Sequence, residues 1–169
     1  MQIRKATKND LPQLMELVKR VVPLMQALGN LQWDDSYPNA MVFQHDIDLE
    51  QLWVADSDGS VAGVAAITTD QELEYAQAGC NVNEAAVVIH RLAVDPARRG
   101  AGIAALLMKQ AEDVARDQGI TVLRVDTNTR NEATRSLFPK LGYLLAGEIT
   151  LRHRPELRFL CYEKRLQQT

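Results

Sequence analysis

Apolar positions recur at helical spacing in two long segments and in short β-type runs between them. Leu11, Leu14, Met15, Val18, Val21, Val22, Met25 and Leu28 line one helical stripe. Thr7 and Asp10 offer a capping-box start to it, and Pro12 is tolerated in its first turn. Pro23 lacks an N–H and is expected to kink or split the helix. Asn39 can cap a shorter helix through Leu49, with Met41, Val42, Ile47 and Leu49 as its apolar side. The segment 102–118 has the clearest two-sided pattern. Ile103, Leu106, Leu107, Gln110, Ala111, Val114 and Ala115 lie on one side, Lys109, Glu112, Asp113, Arg116 and Asp117 on the other, and Gly119 ends it.

The remaining runs predict strands. Residues 3–6 open the chain, and 51–55 and 61–68 flank the Asp58-Gly59 turn dipeptide as an antiparallel hairpin. An apolar strand covers 86–94 and another covers 121–125. Asn131 or Thr129 caps a helix reaching Leu141, which Gly142 stops. Closing strands follow at 143–149 and 157–162 around a charged turn, Arg152 to Glu156, and the polar segment 70–84 has room for one further short strand. Strands and helices alternate without a repeat or a dividing linker, which predicts one α/β domain over residues 1–169.

Composition narrows the class. A chain of 169 residues buries about 70% of its unfolded surface, so the core requires no disulfide or metal. Cys80 and Cys161 are the only cysteines and read as free thiols in a reducing compartment. Nineteen basic against 22 acidic residues, a net charge of −3, argue against a general electrostatic grip on nucleic acid. No apolar run approaches the ~20 residues of a membrane span and the first five residues carry no signal segment. The expectation is a soluble cytoplasmic protein without membrane or nucleic-acid partners.

The chemistry concentrates where the 86–94 strand meets the 102–118 helix. Between them lie Asp95-Pro96-Ala97-Arg98-Arg99, then Gly100 and Gly102. A helix start leaves backbone N–H groups unbonded, glycines let a ligand approach them, and the two arginines add positive charge: an anion site. The glycines could equally make only a tight turn. A nucleoside-triphosphate loop is excluded, because Gly102 is followed by Ile103-Ala104 rather than Lys-Ser/Thr. Gly100-x-Gly102-x-x-Ala105 formally satisfies a dinucleotide fingerprint, with Asp126 about 20 residues on. Its context is wrong, since five turn residues separate the strand from the glycines and the remaining chain is too short for two nucleotide-binding halves.

Arg99-x-x-Gly102-x-Ala104, after a strand ending Leu-Ala-Val-Asp-Pro, resembles the Arg/Gln-x-x-Gly-x-Gly/Ala signature of the GNAT N-acetyltransferase superfamily. Residues 131–143, Asn-Glu-Ala-Thr-Arg-Ser-Leu-Phe-Pro-Lys-Leu-Gly-Tyr, are similar to that family's second motif, and element order matches along the chain. The resemblance implies a mixed, bent sheet of six or seven strands flanked by helices. The 86–94 and 121–125 strands would be parallel and splay apart to hold acetyl-CoA. It implies pyrophosphate on Arg99, Gly100, Ala101, Gly102, Ile103 and Ala104, pantetheine along the Leu92 and Val94 backbone, and Asn131 on the cofactor arm. The family commonly places a tyrosine hydroxyl at the coenzyme A sulfur where this chain has Phe138, whose ring can only pack; Tyr143 and Tyr162 are substitutes by residue type. The reaction implied is direct attack of a primary amine, on a small molecule or peptide, on the thioester; a homodimer through the closing strands is a further implication.

His90 is the candidate general base, since its side chain alternates with Leu92 and Val94 and imidazole titrates near neutrality; it could instead face the core, bonded to a backbone carbonyl. Glu84 or a water chain is an alternative base. Trp33 and Tyr37 place scarce aromatic rings on a loop, either to plug the core or to contact substrate. With Asp34, Asp35 and the acidic 70–84 segment they form a candidate wall for a cationic amine. No metal is expected. The acceptor's identity and the acyl chain length stay open, as does a non-catalytic acetyl-CoA sensor.

Overall fold

Seven strands form one mixed sheet, in the order β1-β2-β3-β4-β5-β7-β6. The computed structural model describes residues 1–167. The strands are β1 (Gln2–Lys5), β2 (Leu52–Ser57), β3 (Ser60–Thr68), β4 (Val87–Val94), β5 (Val122–Asn128), β6 (Leu144–Leu151) and β7 (Arg154–Arg165). The helices are α1 (Leu11–Ala27), α2 (Ala40–Asp48), α3 (Ile103–Asp117) and α4 (Glu132–Lys140). β4 and β5 are parallel and the other neighbours antiparallel, which bears out the mixed sheet and the parallel pairing expected of the 86–94 and 121–125 runs.

Both faces of the sheet are covered. Ile103, Leu107, Ala111 and Ala115 of α3 pack with Phe138 of α4 against one face. Leu14, Leu17, Val18, Val21 and Val22 of α1 and Phe43 of α2 cover part of the other face, over Val54 and Val64. Tyr75, in the short 3-10 turn Leu73–Ala78, seals the rest with Val88, Phe159 and Cys161. The close seat of α3 depends on Gly63. A Cβ there would lie 2.7 Å from Ile103 Cγ2 and 3.2 Å from Leu107 Cδ1, so the missing side chain sets how near the helix start approaches β3.

Several expectations are corrected. α1 is not split at Pro23, whose ring is exposed while five side chains of the helix are buried. Burial of about 1.5–3 kcal/mol for each large apolar side chain outweighs the proline penalty of about 3 kcal/mol. Asn39 caps α2 as expected, accepting from Val42 N at 3.0 Å. The buried positions of α2, however, are Phe43 and Asp46, with Met41 and Leu49 in solvent. A buried carboxylate, which hydropathy reads as outward, rotates that face. In α3 Leu106 is exposed and Glu112 buried, because Lys164 of β7 donates to the Glu112 carboxylate.

Asp58 and Gly59 both have positive φ, 51° and 89°, as a two-residue hairpin turn matched to strand twist requires. The 70–84 segment contains no strand. β5 runs three residues past its expected end, and β7 begins at Arg154, so Arg152-His153 alone turn the last hairpin. At the sheet edge, β6 exposes Leu144 and Leu145.

Candidate functional site

The parallel ladder between β4 and β5 runs only from Val87↔Leu123 to Ile89↔Val125. Beyond Ile89 the strands part, and a cleft of about 510 Å³ opens between them. His90, Arg91 and Leu92 line it from β4, Asp126 and Thr127 from β5, and Asn131, Thr134 and Phe138 from the start and interior of α4. Loop residues Trp33, Asp34 and Tyr37 face it with Glu72 and the hairpin residues His153 and Arg154.

At the far end of β4 the chain makes the turn Pro96–Arg98, stapled by Asp95, whose Oδ1 accepts from Ala97 N at 3.0 Å. The second Asp95 oxygen meets Arg20 at 3.3 Å. Gly100 and Gly102 have φ of 84° and 76°, a region where a side chain is strained. Gly102 is the N-cap of α3 and no side chain caps that end. The first helical bond is Leu106 N to Gly102 O, so the amides of Ile103, Ala104 and Ala105 lack an acceptor within the helix. Exposed Arg99 precedes them. Bare amides, a positive helix end and a guanidinium together fit a diphosphate.

His90 is half-buried on β4. It lines the cleft, and its Nε2 is 3.1 Å from the Asp70 carbonyl oxygen. That bond needs the proton on Nε2, which leaves Nδ1 as the acceptor. Asp126 shares this end of the cleft. Its Oδ2 accepts from the Tyr75 hydroxyl at 2.5 Å. Burial pushes the Asp126 carboxyl above the usual carboxylate range, against the opposing influence of His90, Tyr75 and His153. Burial, then the Asp126 charge, raises the Tyr75 hydroxyl well above its ordinary value, so it stays a hydrogen-bond donor.

The loop residues are more committed than the sequence implies. Trp33 is 4% exposed and packs with α1 and β3, so it plugs the core with one edge on the cleft. The Tyr37 hydroxyl accepts from Arg91 Nη1 at 3.2 Å. Asp34 Oδ1 accepts from Ser36 N, Ser36 Oγ and Tyr37 N, and Oδ2 from Arg154 Nη2 at 2.8 Å. Arg154, with the Ser36 bonds, holds the Asp34 carboxyl well below the usual range. The expected acidic wall is in part neutralised by ion pairs. Asp34 is spent on its own loop and on β7, Glu74 pairs with Arg152 and Glu84 with Arg165, whereas Glu72 and Asp126 line the cleft.

Asn131 faces the cleft but its Oδ1 caps α4 through Thr134 N at 3.2 Å, leaving its amide nitrogen for a ligand. Phe138 is buried, edge-on to Tyr162 at 5.4 Å and 6.0 Å from Tyr143. Tyr143 and Tyr162 lie in the same core and not on the cleft, so neither supplies the hydroxyl that Phe138 lacks.

Sequence reasoning placed Glu72 in the acidic segment of the candidate wall, but missed Tyr75, His153 and the role of Asp126. Only tertiary pairing marks them: Tyr75 and Asp126 are 51 residues apart, and Asp and Asn disfavour the strand that carries Asp126 past Val125. Among the described residues no group of three His, Cys, Asp or Glu stands ready to hold a metal. No helix among the described residues is long and apolar enough to cross a membrane.

Residues 17–143 match the family model described as the acetyltransferase (GNAT) family. The chain belongs to the GNAT acetyltransferase family. Human N-acetyltransferase 8B is 31% identical over 98 residues, 57% of this chain and 40% of that protein. The chain thus spans less than half the length of this relative. A GNAT-family acetyltransferase from Streptococcus agalactiae superposes with a TM-score of 0.82 at 26% identity, covering 99% of this chain and 96% of that one. The Salmonella typhimurium protein yncA, solved with its cofactor acetyl-CoA, shares the fold at a TM-score of 0.72 and 21% identity, over 100% of this chain and 95% of the other. This GNAT chain shares the overall fold with both.

Proposed function

We propose that this GNAT chain is an acetyl-CoA-dependent N-acetyltransferase acting on a primary amine of a small molecule or peptide by direct attack. The observation that carries the reading is the continuity of two sites along one strand. The uncapped start of α3 lies just past the end of β4, and His90, in the middle of β4, lines the cleft with Asp126 of β5.

The diphosphate rests on Arg99, Gly100, Ala101, Gly102, Ile103 and Ala104. The pantetheine arm follows the Leu92 and Val94 backbone, which β5 leaves without a strand neighbour. The Asn131 amide and the Phe138 ring border the arm on the α4 side. The thioester then lies at the parting of the strands. An ammonium acceptor is drawn by the Glu72 and Asp126 carboxylates, loses a proton to His90 Nδ1, and attacks the thioester carbon. The N–C bond forms as the Leu92 backbone N–H meets the developing oxyanion, the second proton on nitrogen leaves to solvent, and the C–S bond breaks. Solvent protonates the thiolate, since Phe138 has no proton to give.

Thiol release from acetyl-CoA across a panel of cationic, neutral and acidic amines tests the reading. Release with cationic primary amines is expected, and His90→Gln is expected to lower kcat by about 10²–10⁴-fold, the usual contribution of a positioned base. Tight acetyl-CoA binding with no release for any amine would favour a sensor instead. An unchanged rising limb on the acid side of the pH–rate profile in His90→Gln removes His90 from the role.

A further inference from the structure

The register of β4 against β3 changes at the mouth of the cleft. Val64 pairs with Ala93 and Ala66 with His90, so three steps along β4 oppose two along β3. β4 therefore carries one extra residue, a bulge, directly after the last position paired with β5. Arg91 lies in the bulge with φ of 55°, a left-handed conformation that bulges of this kind ordinarily assign to glycine.

Arg91 is held there from outside the sheet. Its Nε donates to Asp46 Oδ2 and its Nη2 to Asp46 Oδ1, both at 2.7 Å, and its Nη1 donates to the Tyr37 hydroxyl at 3.2 Å. Asp46 is 1% exposed and also accepts from Gln51 Nε2 at 2.9 Å. A bidentate carboxylate on a packed helix fixes a guanidinium in both position and orientation. Burial would lower the Arg91 pKa, but the hydrogen bonds and charges of Asp46 and Tyr37 together outweigh it and the net shift is upward, so the guanidinium keeps its charge.

We propose that Arg91 is a positioning residue: its ion pair with Asp46 holds β4 in the left-handed bulge and so aims the backbone N–H groups around Leu92 at the thioester oxygen. The proposal rests on the acetyl-transfer reading above. Arg91 lines the cleft, yet its charge is committed to Asp46 and is not a docking point for an acidic acceptor. Helix α2 and the Tyr37 loop thereby act on the chemistry without touching it.

Backbone and side chain can be separated by two double variants. Asp46→Asn with Arg91→Gly removes the pair but permits positive φ without strain; Asp46→Asn with Arg91→Ala removes the pair and opposes it. Pairing Asn with each change avoids a lone buried carboxylate. The glycine variant is expected to retain kcat within about fivefold, and the alanine variant to lose at least about tenfold, toward the loss seen for a misplaced oxyanion donor. Acetyl-CoA Kd should change less than kcat in either, because the diphosphate rests on residues 99–104, outside the bulge.

NMR supplies a readout independent of any acceptor. Acetyl-CoA should shift the Leu92 amide resonance in wild type and in the glycine variant, and much less in the alanine variant. If the alanine variant does not fold, Asp46→Glu takes its place, with an expected kcat loss of about fivefold at unchanged Kd. Equal kcat and equal Leu92 shifts in the glycine and alanine variants, or wild-type kcat in Asp46→Glu, overturn the proposal. A wild-type protein that shows the Leu92 shift but acetylates no amine overturns the transfer reading and not the bulge.

Discussion

The Tyr75 hydroxyl donates to Asp126 Oδ2 at 2.5 Å, joining a turn of the 70–84 segment to the strand at the cleft's edge. The turn is held from its other end as well, since the Asp70 carbonyl accepts from His90. One irregular segment thus orients both the candidate base and the carboxylate beside it.

Asp126 is the clearest case where function and stability oppose each other. Its carboxyl is raised by burial, so the native state disfavours the ionised form. The sign follows from linkage: a raised folded pKa gives stability that is full below the unfolded value near 3.9 and is lost as pH rises through the folded value. Asp126→Asn keeps the oxygen that accepts from Tyr75 and removes the charge. Its melting temperature at neutral pH is therefore expected to exceed that of wild type, with the difference vanishing in acid, while kcat/KM for a cationic amine falls. Thermal melts across pH and steady-state rates check both halves. A melting temperature below wild type at neutral pH would show that the ionised form is stabilised instead.

The anion site makes a separate prediction. Arg99→Ala should weaken coenzyme A binding by roughly 5–50-fold, as expected for one charge-assisted bond, and flatten its salt dependence. Gly102→Ala should weaken binding as well, through the strained φ of 76° rather than through steric contact, because a Cβ there meets nothing within 4 Å. Calorimetric titration with coenzyme A and with its dephosphorylated pantetheine fragment separates the contributions. Loss of affinity for the fragment equal to that for coenzyme A would move Arg99 away from the diphosphate.

Gly63 links packing to the same site. Gly63→Val forces Ile103 and Leu107 outward, and overpacking of this kind costs about 1–3 kcal/mol. Denaturant unfolding should show that loss, and coenzyme A affinity should fall with it because the start of α3 carries the bare amides. Unchanged affinity in a destabilised Gly63→Val would mean that the helix start tolerates displacement.

Sequence alone determined the elements whose signals are local. Apolar spacing specified α1 and α3, Asp58-Gly59 the hairpin, Asn39 and Asn131 the helix caps, and Gly100 and Gly102 the turn before α3. The proposed diphosphate cradle could be read from sequence for the same reason, since it is built from consecutive residues.

What the tertiary structure decided are the polar pairs between distant segments. Asp46 could be buried only because Arg91 reaches it, and Arg91 could hold positive φ only because Asp46 is there. Arg124 is fully buried by Glu163, Asn81 and Glu84, and the Asp34 charge on the cleft wall is already met by Arg154. Each of these side chains reads as solvent-facing by hydropathy. Desolvating a charge is costly unless a partner meets it, and where that partner lies is set by the folded sheet rather than by neighbours in sequence.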